Sequence, residues 1–212
     1  MHLEGTILRG PDFDPVEGRV VVADGEIVRI DATAVDSDDV ILPAFVNAHT
    51  HIGDSIAKEA GEGLSLDELV APPDGLKHRL LRAATHDEKV AAMARTLRYM
   101  ESTGTGTFLE FREGGVEGVA ALRDAVAGEG VAFDERAIEP VVFGRDDPDV
   151  LGAADGYGAS GARDADFDAV RSETREAGKL FGIHAGERDA DDINPAMDLD
   201  PDFLVHMVHA EP

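Results

Sequence analysis

The 212-residue chain has no cysteine and no tryptophan, and only two tyrosines and nine phenylalanines. Without cysteine there can be no disulfide framework, no cysteine-ligated zinc ribbon and no thiol nucleophile. Basic residues are scarce too: 19 Lys and Arg stand against 44 Asp and Glu, a formal net charge of -25. Nucleic acid and anionic lipid both demand a basic face, so neither is expected as a partner. The chain has no run of 18 apolar residues, and Met1 to Pro15 shows neither the basic start nor the apolar stretch of a signal peptide. A soluble, cytoplasmic protein is expected. What is present is a 43% share of hydrophobic residues, enough for a sizeable core despite the charge.

The acid excess has its own physical reading. The 15 Arg outnumber the 4 Lys, the 26 Asp exceed the 18 Glu, and aromatics are only 5%. Self-repulsion on this scale burdens a small domain in dilute buffer, whereas molar salt shortens the screening length to about 3 Å. The composition reads as adaptation to a high-salt, halophilic cytoplasm; the alternative is an ordinary acidic protein.

Residues 1–45 read as short strands and turns. Gly5–Arg9, Arg19–Ala23 and Glu26–Ile30 are strand candidates, the last two flanking Asp24-Gly25, a two-residue hairpin signal. From Ile41 the pattern changes to apolar strands separated by amphipathic helices. The expected strands are Ile41–Ala48, Thr107–Phe111, Ile138–Phe143, Ala154–Tyr157, Leu180–His184 and Phe203–Val208. The expected helices are Asp87–Glu101, Val116–Gly128 and Asp166–Gly178. Strands alternating with helices predict βα units and a parallel sheet. The Gly/Asp-rich stretch Asp146–Asp166 reads as a loop around a short strand.

Three of these strands end in histidine. In Leu42-Pro43-Ala44-Phe45-Val46-Asn47-Ala48-His49-Thr50-His51, period-two alternation puts His49 and His51 on one side, where both imidazoles can converge on one ion. Strand Leu180–His184 ends in a third histidine, with Glu187 three residues later as a candidate base for a metal-bound water. The third, Phe203 onward, carries His206 and His209. Taken singly, each histidine could be a satisfied structural residue; three strand ends in one chain make coincidence a weaker explanation. His2, His78 and His86 read as surface residues. Glu110 and Arg112 flank Phe111, and one of them is a candidate to face the pocket as a substrate contact, the alternative being a rim salt bridge. Asp54 and Lys58 are spaced to pair on a helix surface. Tyr157–Arg163 is a candidate for the mouth of the site.

The motifs Leu-Pro-x-Phe-Val-Asn-Ala-His-Thr-His at 42–51, His-Ala-Gly-Glu at 184–187 and His-Met-Val-His at 206–209 resemble those of the metal-dependent amidohydrolase superfamily. The resemblance is to its cytosine/guanine and adenosine-type deaminase and chlorohydrolase branch. It implies an α/β fold: a small β-sandwich segment (1–45) followed by a TIM-like (β/α) barrel (46–212), incomplete here with about six of eight βα units. It implies that His49, His51 and His184 hold one Zn2+ or Fe2+ per chain. Glu187 would carry a proton from the activated water to the leaving nitrogen, and His206 would contact the substrate; His209 falls at a less constrained position. The activity so implied is hydrolysis of a non-peptide C–N bond, deamination of a small cyclic or nucleoside-like substrate.

Ala44 replaces the family's usual Gly, and no lysine marks the fourth strand, which favours a mononuclear over a carboxylated-lysine site. The family's eighth strand supplies a metal-binding aspartate. None of Asp189, Asp191, Asp192, Asp198, Asp200 or Asp202 matches that motif, and the chain is expected to stop after a sixth strand. Two open edges favour association, so the partners expected besides a small-molecule substrate are a second copy or a complementary C-terminal barrel fragment. The alternative reading is a truncated, non-catalytic paralogue or subunit serving as a metal-binding or association module. The charge reading is tested by melting the chain in low and multimolar KCl: the midpoint should rise with salt, and greater stability in low salt would contradict it.

Overall fold

The computed structural model describes residues 1–71, 73–128 and 138–211. The chain divides after Phe45 into two units. In the first, β1 (His2–Arg9) and β2 (Asp14–Ala23) pair antiparallel from His2 opposite Val21 to Arg9 opposite Asp14. β2 turns into β3 (Glu26–Ala32) through Asp24 and Gly25, whose φ values of 52° and 81° suit a two-residue hairpin that follows the strand twist. β4 (Val40–Ile41) adds parallel to β1 and completes a four-stranded mixed sheet in the order β3-β2-β1-β4. Ile7 and Val20 are its buried apolar side chains.

The apolar run from Ile41 to Ala48 is not one strand. Leu42, Pro43 and Ala44 separate β4 from β5 (Phe45–Thr50), because proline fixes φ and offers no N–H to a ladder. A 3₁₀ turn (Ile52–Ala57) and three helices follow: α1 (Leu66–Val70), α2 (Leu76–Ala83) and α3 (His86–Ser102). Ser65 with Glu68 and Thr85 with Glu88 form reciprocal capping boxes that start α1 and α3. Then come β6 (Thr105–Arg112), α4 (Gly115–Ala127), β7 (Glu139–Gly144), β8 (Gly156–Gly161), α5 (Asp168–Glu176), β9 (Leu180–Ala185), α6 (Ile193–Asp198) and β10 (Phe203–His206). Sequence periodicity misses α1, α2 and α6, which are too short to show a 3.6-residue repeat. It also starts the fourth barrel strand two residues early and ends it four residues early.

The six strands β5 to β10 lie side by side in chain order. In a flat sheet the outer two would stand about 24 Å apart, at about 4.8 Å per step. Instead the rings of His49 on β5 and His206 on β10 have centroids 4.8 Å apart. The sheet therefore curls into an incomplete TIM-like barrel. Its outward positions pack against helices: Phe108 and Val142 with Leu97, Val119 and Leu122 on one side, Tyr157, Phe181 and Ile183 with Phe167 and Val170 on the other. The inward positions carry Phe111, Phe143 and Phe203, with ring centroids 5.0–6.0 Å apart. Gly158 and Gly182 make room for this plug, since a Cβ at either would collide with its rings. Among the described residues no helix is long and apolar enough to cross a membrane.

Gly182→Ala should therefore destabilise the chain by about 1–3 kcal/mol through overpacking. Denaturant unfolding reads this, and an unchanged midpoint would show that the aromatic plug yields freely.

Candidate metal centre

Alternation along each strand delivers side chains to the mouth of the barrel just above the aromatic plug. His49 and His51 come from the end of β5, and His184 stands two residues beyond Gly182 on β9. The Nε2 atoms of these three imidazoles form a triangle with every side 3.1 Å. Two of the rings are oriented from behind by backbone carbonyls: His51 Nδ1 donates to Phe111 O at 3.1 Å, and His184 Nδ1 donates to Ala159 O at 2.8 Å. With their protons held there, both rings direct an Nε2 lone pair into the triangle. Phe111 forms the floor, edge-on to His49 at 5.3 Å and to His184 at 4.7 Å.

Burial, then the neighbouring His51, push the His49 imidazole down to about 4. Burial and Arg145 push His184 down to about 2. Both are neutral at pH 7, the state in which imidazole binds a metal. Three nitrogens bound tetrahedrally at about 2.0–2.1 Å would stand about 3.3–3.4 Å apart. The observed 3.1 Å and the inward lone pairs fit such an ion.

His206 joins the group in a different way. Phe203 and Val205 face the barrel interior, so a regular strand would turn His206 outward. Its φ of +73°, with +52° at Met207, breaks the alternation and swings the imidazole back over His49 and His184. Left-handed backbone at non-glycine residues is costly and concentrates at functional sites. A second overlapping set, His49, His184 and His206, has its candidate ligand atoms within 4.8 Å of one another. The His49–His51–His184 triangle is the tighter of the two, and its carbonyl-held tautomers make it the better ligand set. Glu187 lies across the opening, its Oε2 3.5 Å from His206 Nε2. His209 is exposed and hydrogen-bonds through its backbone N–H to Gly186 O.

The histidines, Glu187 and His206 line one cavity of about 190 Å³. Ser160, Gly161 and Arg163, from the stretch expected at the mouth, line it too. His78, read from sequence as a surface residue, is half-buried there and contacts Val70 O.

Glu110 and Arg112 do not face the cavity. Glu110 is buried behind β5, where it accepts hydrogen bonds from Thr50 Oγ1 (2.6 Å), Ile52 N (2.8 Å) and Gly53 N (3.2 Å), latching the backbone that carries the two histidines. Arg112 donates from Nε to Gly118 O, at the start of α4. Asp54 pairs with Lys77 at 3.0 Å rather than with Lys58.

Sequence reasoning missed Glu113. It stands two residues beyond Phe111, almost wholly buried, with Oε1 2.7 Å from Lys77 Nζ, 2.8 Å from Arg145 Nη1 and 3.3 Å from His51 Nδ1. Burial alone would raise its carboxyl, but Arg145, His51 and Lys77 hold it well below the usual range. An ionised carboxylate thus backs the Nδ1 side of His51. Extending the β6 alternation by two residues past Phe111 would have reached it.

A family model described as "Amidohydrolase family" matches residues 40–194. The chain belongs to this family. Similar to it is a Methanothermobacter thermautotrophicus protein named "Putative aminohydrolase", 36% identical over 202 residues, 86% of this chain and 53% of its own length. An uncharacterized Methanocaldococcus jannaschii protein is 31% identical over 238 residues, 98% of this chain and 62% of its own. The structure of N-isopropylammelide isopropylaminohydrolase from Burkholderia multivorans shares the fold, with a TM-score of 0.63 at 15% identity over 94% of this chain and 56% of its own. This amidohydrolase chain thus spans between half and two thirds of the length of these relatives.

Two outcomes follow from the site's electrostatics. As pH falls from about 6.5 towards 4, the unfolded chain takes up protons that folded His49 and His184 refuse, so stability should fall with pH. Melting of the metal-free chain should show this, with a smaller drop in His184→Gln; equal drops would contradict it. Glu113→Gln should lower zinc affinity about 10–100-fold in competition with a chelator, the usual effect of losing an outer partner of a ligand histidine. An unchanged affinity in a folded variant would remove Glu113 from the site.

Proposed function

We propose that this amidohydrolase-family chain carries the catalytic half-site of a metal-dependent hydrolase that cleaves a non-peptide C–N bond, deaminating a small cyclic or nucleoside-like substrate. The observation that carries the reading is the triangle of Nε2 atoms at 3.1 Å lining a cavity that Glu187 and His206 also line. His49, His51 and His184 would hold the ion. Imidazole suits zinc and iron alike. When bound, such an ion supplies Lewis acidity and a hydrolytic nucleophile near neutral pH.

The chain's own residues would then do the following. Glu187 takes a proton on its carboxylate from the attacking water and returns it to the leaving nitrogen, so the amine departs neutral. His206 stands within reach of that carboxylate and over the histidine triangle, where it orients the substrate's reacting carbon and stabilises the charge that develops on the oxygen or nitrogen bonded to it. The Phe111 ring below keeps the floor of the site dry. The names of the aminohydrolase relative and of the structural neighbour support C–N cleavage as the bond class.

A deaminase screen of purines, pyrimidines and S-adenosyl-type nucleosides with the metal-loaded chain in high salt tests the reading. Ammonia release should fall about 10²–10⁴-fold in Glu187→Gln, the range of lost general acid–base catalysis, while metal content stays unchanged. Turnover that survives in Glu187→Gln would contradict the role given to this carboxylate.

A further inference from the structure

The walls of the cavity differ in charge from the rest of the molecule. Acids outnumber bases by 44 to 19 in the chain, yet four cations, Lys77, Arg145, Arg163 and Arg188, line this cavity beside four carboxylates. Two of the cations belong to the rim: Arg163 pairs with Asp189 and Arg188 with Asp67, at sites where each side chain is more than two-fifths exposed. The other two lie deep, both 12% exposed, and converge on Glu113. Lys77 is spent there, divided between Glu113 and Asp54.

Arg145 is not. Val141 and Phe143 face the barrel interior, so alternation carries Arg145 to the inward position directly above the aromatic plug. Its backbone N–H is tied to Arg112 O at 3.1 Å, and the next residue, Asp146, accepts from Gly114 N at 2.7 Å, which fixes the strand end. The guanidinium donates once, from Nη1 to Glu113 Oε1 at 2.8 Å. Among the described residues it makes no other hydrogen bond, and Arg145 lines the cavity. Tethering by one nitrogen anchors the planar fork in the same cavity as the histidines. That leaves paired donors of the kind that fit a carboxylate or phosphate.

We propose that the site takes substrates bearing an oxyanion group, a carboxylate or a phosphate, and that Arg145 is the residue that receives it. The inference rests on the reading of this cavity as the substrate site, and it names the substrate class. Glu113 serves it twice, anchoring the arginine and backing His51. In a chain that repels anions almost everywhere, a fixed arginine at the site also gives an anionic substrate a reason to settle there.

Calorimetric titration with three ring-matched probes, benzoate, phenyl phosphate and benzamide, tests this without any turnover. The zinc-loaded chain should bind one of the anions at least about 10-fold more tightly than benzamide, the size of a charge-assisted contact. Repeating the titration on the metal-free chain removes the ion's own pull, and the preference should persist. It should disappear in Arg145→Gln and be partly restored in Arg145→Lys, which keeps the charge but loses the fork. Benzoate preferred identifies a carboxylate substrate; phenyl phosphate preferred identifies a phosphate. Benzamide bound as tightly as both anions by the wild-type chain overturns the proposal whatever the variants do. An anion preference kept in full by folded Arg145→Gln overturns it as well. No ammonia release from any compound of the deaminase screen, with the anion preference intact, would strike instead at the C–N hydrolase reading.

Discussion

Two backbone carbonyls set the terms for the rest of this molecule. Phe111 O and Ala159 O each take an Nδ1–H, from His51 and His184, and thereby fix both imidazoles as tautomers whose Nε2 lone pairs point at one another. Lone pairs held 3.1 Å apart repel unless a cation lies between them, so strand packing on both sides must sustain the geometry. Glu110 clamps the backbone beyond His49 from one side, and the aromatic plug fills the barrel beneath. The curl of the six-stranded sheet is what brings β5 and β9 close enough for the triangle to form. Fold and site are therefore one problem: a barrel packed differently would lose the tautomers along with the shape.

The charges around the triangle obey the same logic. Burial keeps His49 and His184 neutral. Glu113 is buried just behind and stays ionised because Arg145, Lys77 and His51 surround it. Breaking one partner of such a group leaves a buried charge uncompensated, at about 3–5 kcal/mol. The network thus couples the orientation of His51 to that of Arg145.

Much of this is written in local periodicity. His49, His51 and His184 are legible because period-two alternation at the end of an apolar strand admits few arrangements, and the alternation of strands with α3, α4 and α5 announces the parallel sheet. His206 is legible as a strand end, but its approach to the other histidines depends on left-handed backbone that no residue type there announces. Glu113 and Arg145 lie two residues past Phe111 and Phe143, in reach of the same alternation had the strands been carried further. Lys77 has no such signal, since it comes from a short helix whose placement is decided by tertiary packing. Glu110 and Arg112 share a face that only the position of β5 could assign, and the break at Pro43 shows that one imino acid outweighs a run of apolar neighbours.

The proposed binding of one divalent ion by His49, His51 and His184 can be read from the metal that the chain carries. Metal analysis of the chain purified from cells, beside His49→Ala/His51→Ala prepared in the same way, tests it most directly. One zinc or iron per wild-type chain is expected, and essentially none in the variant. A wild-type chain that is folded, free of metal and indifferent to added Zn2+ would contradict it.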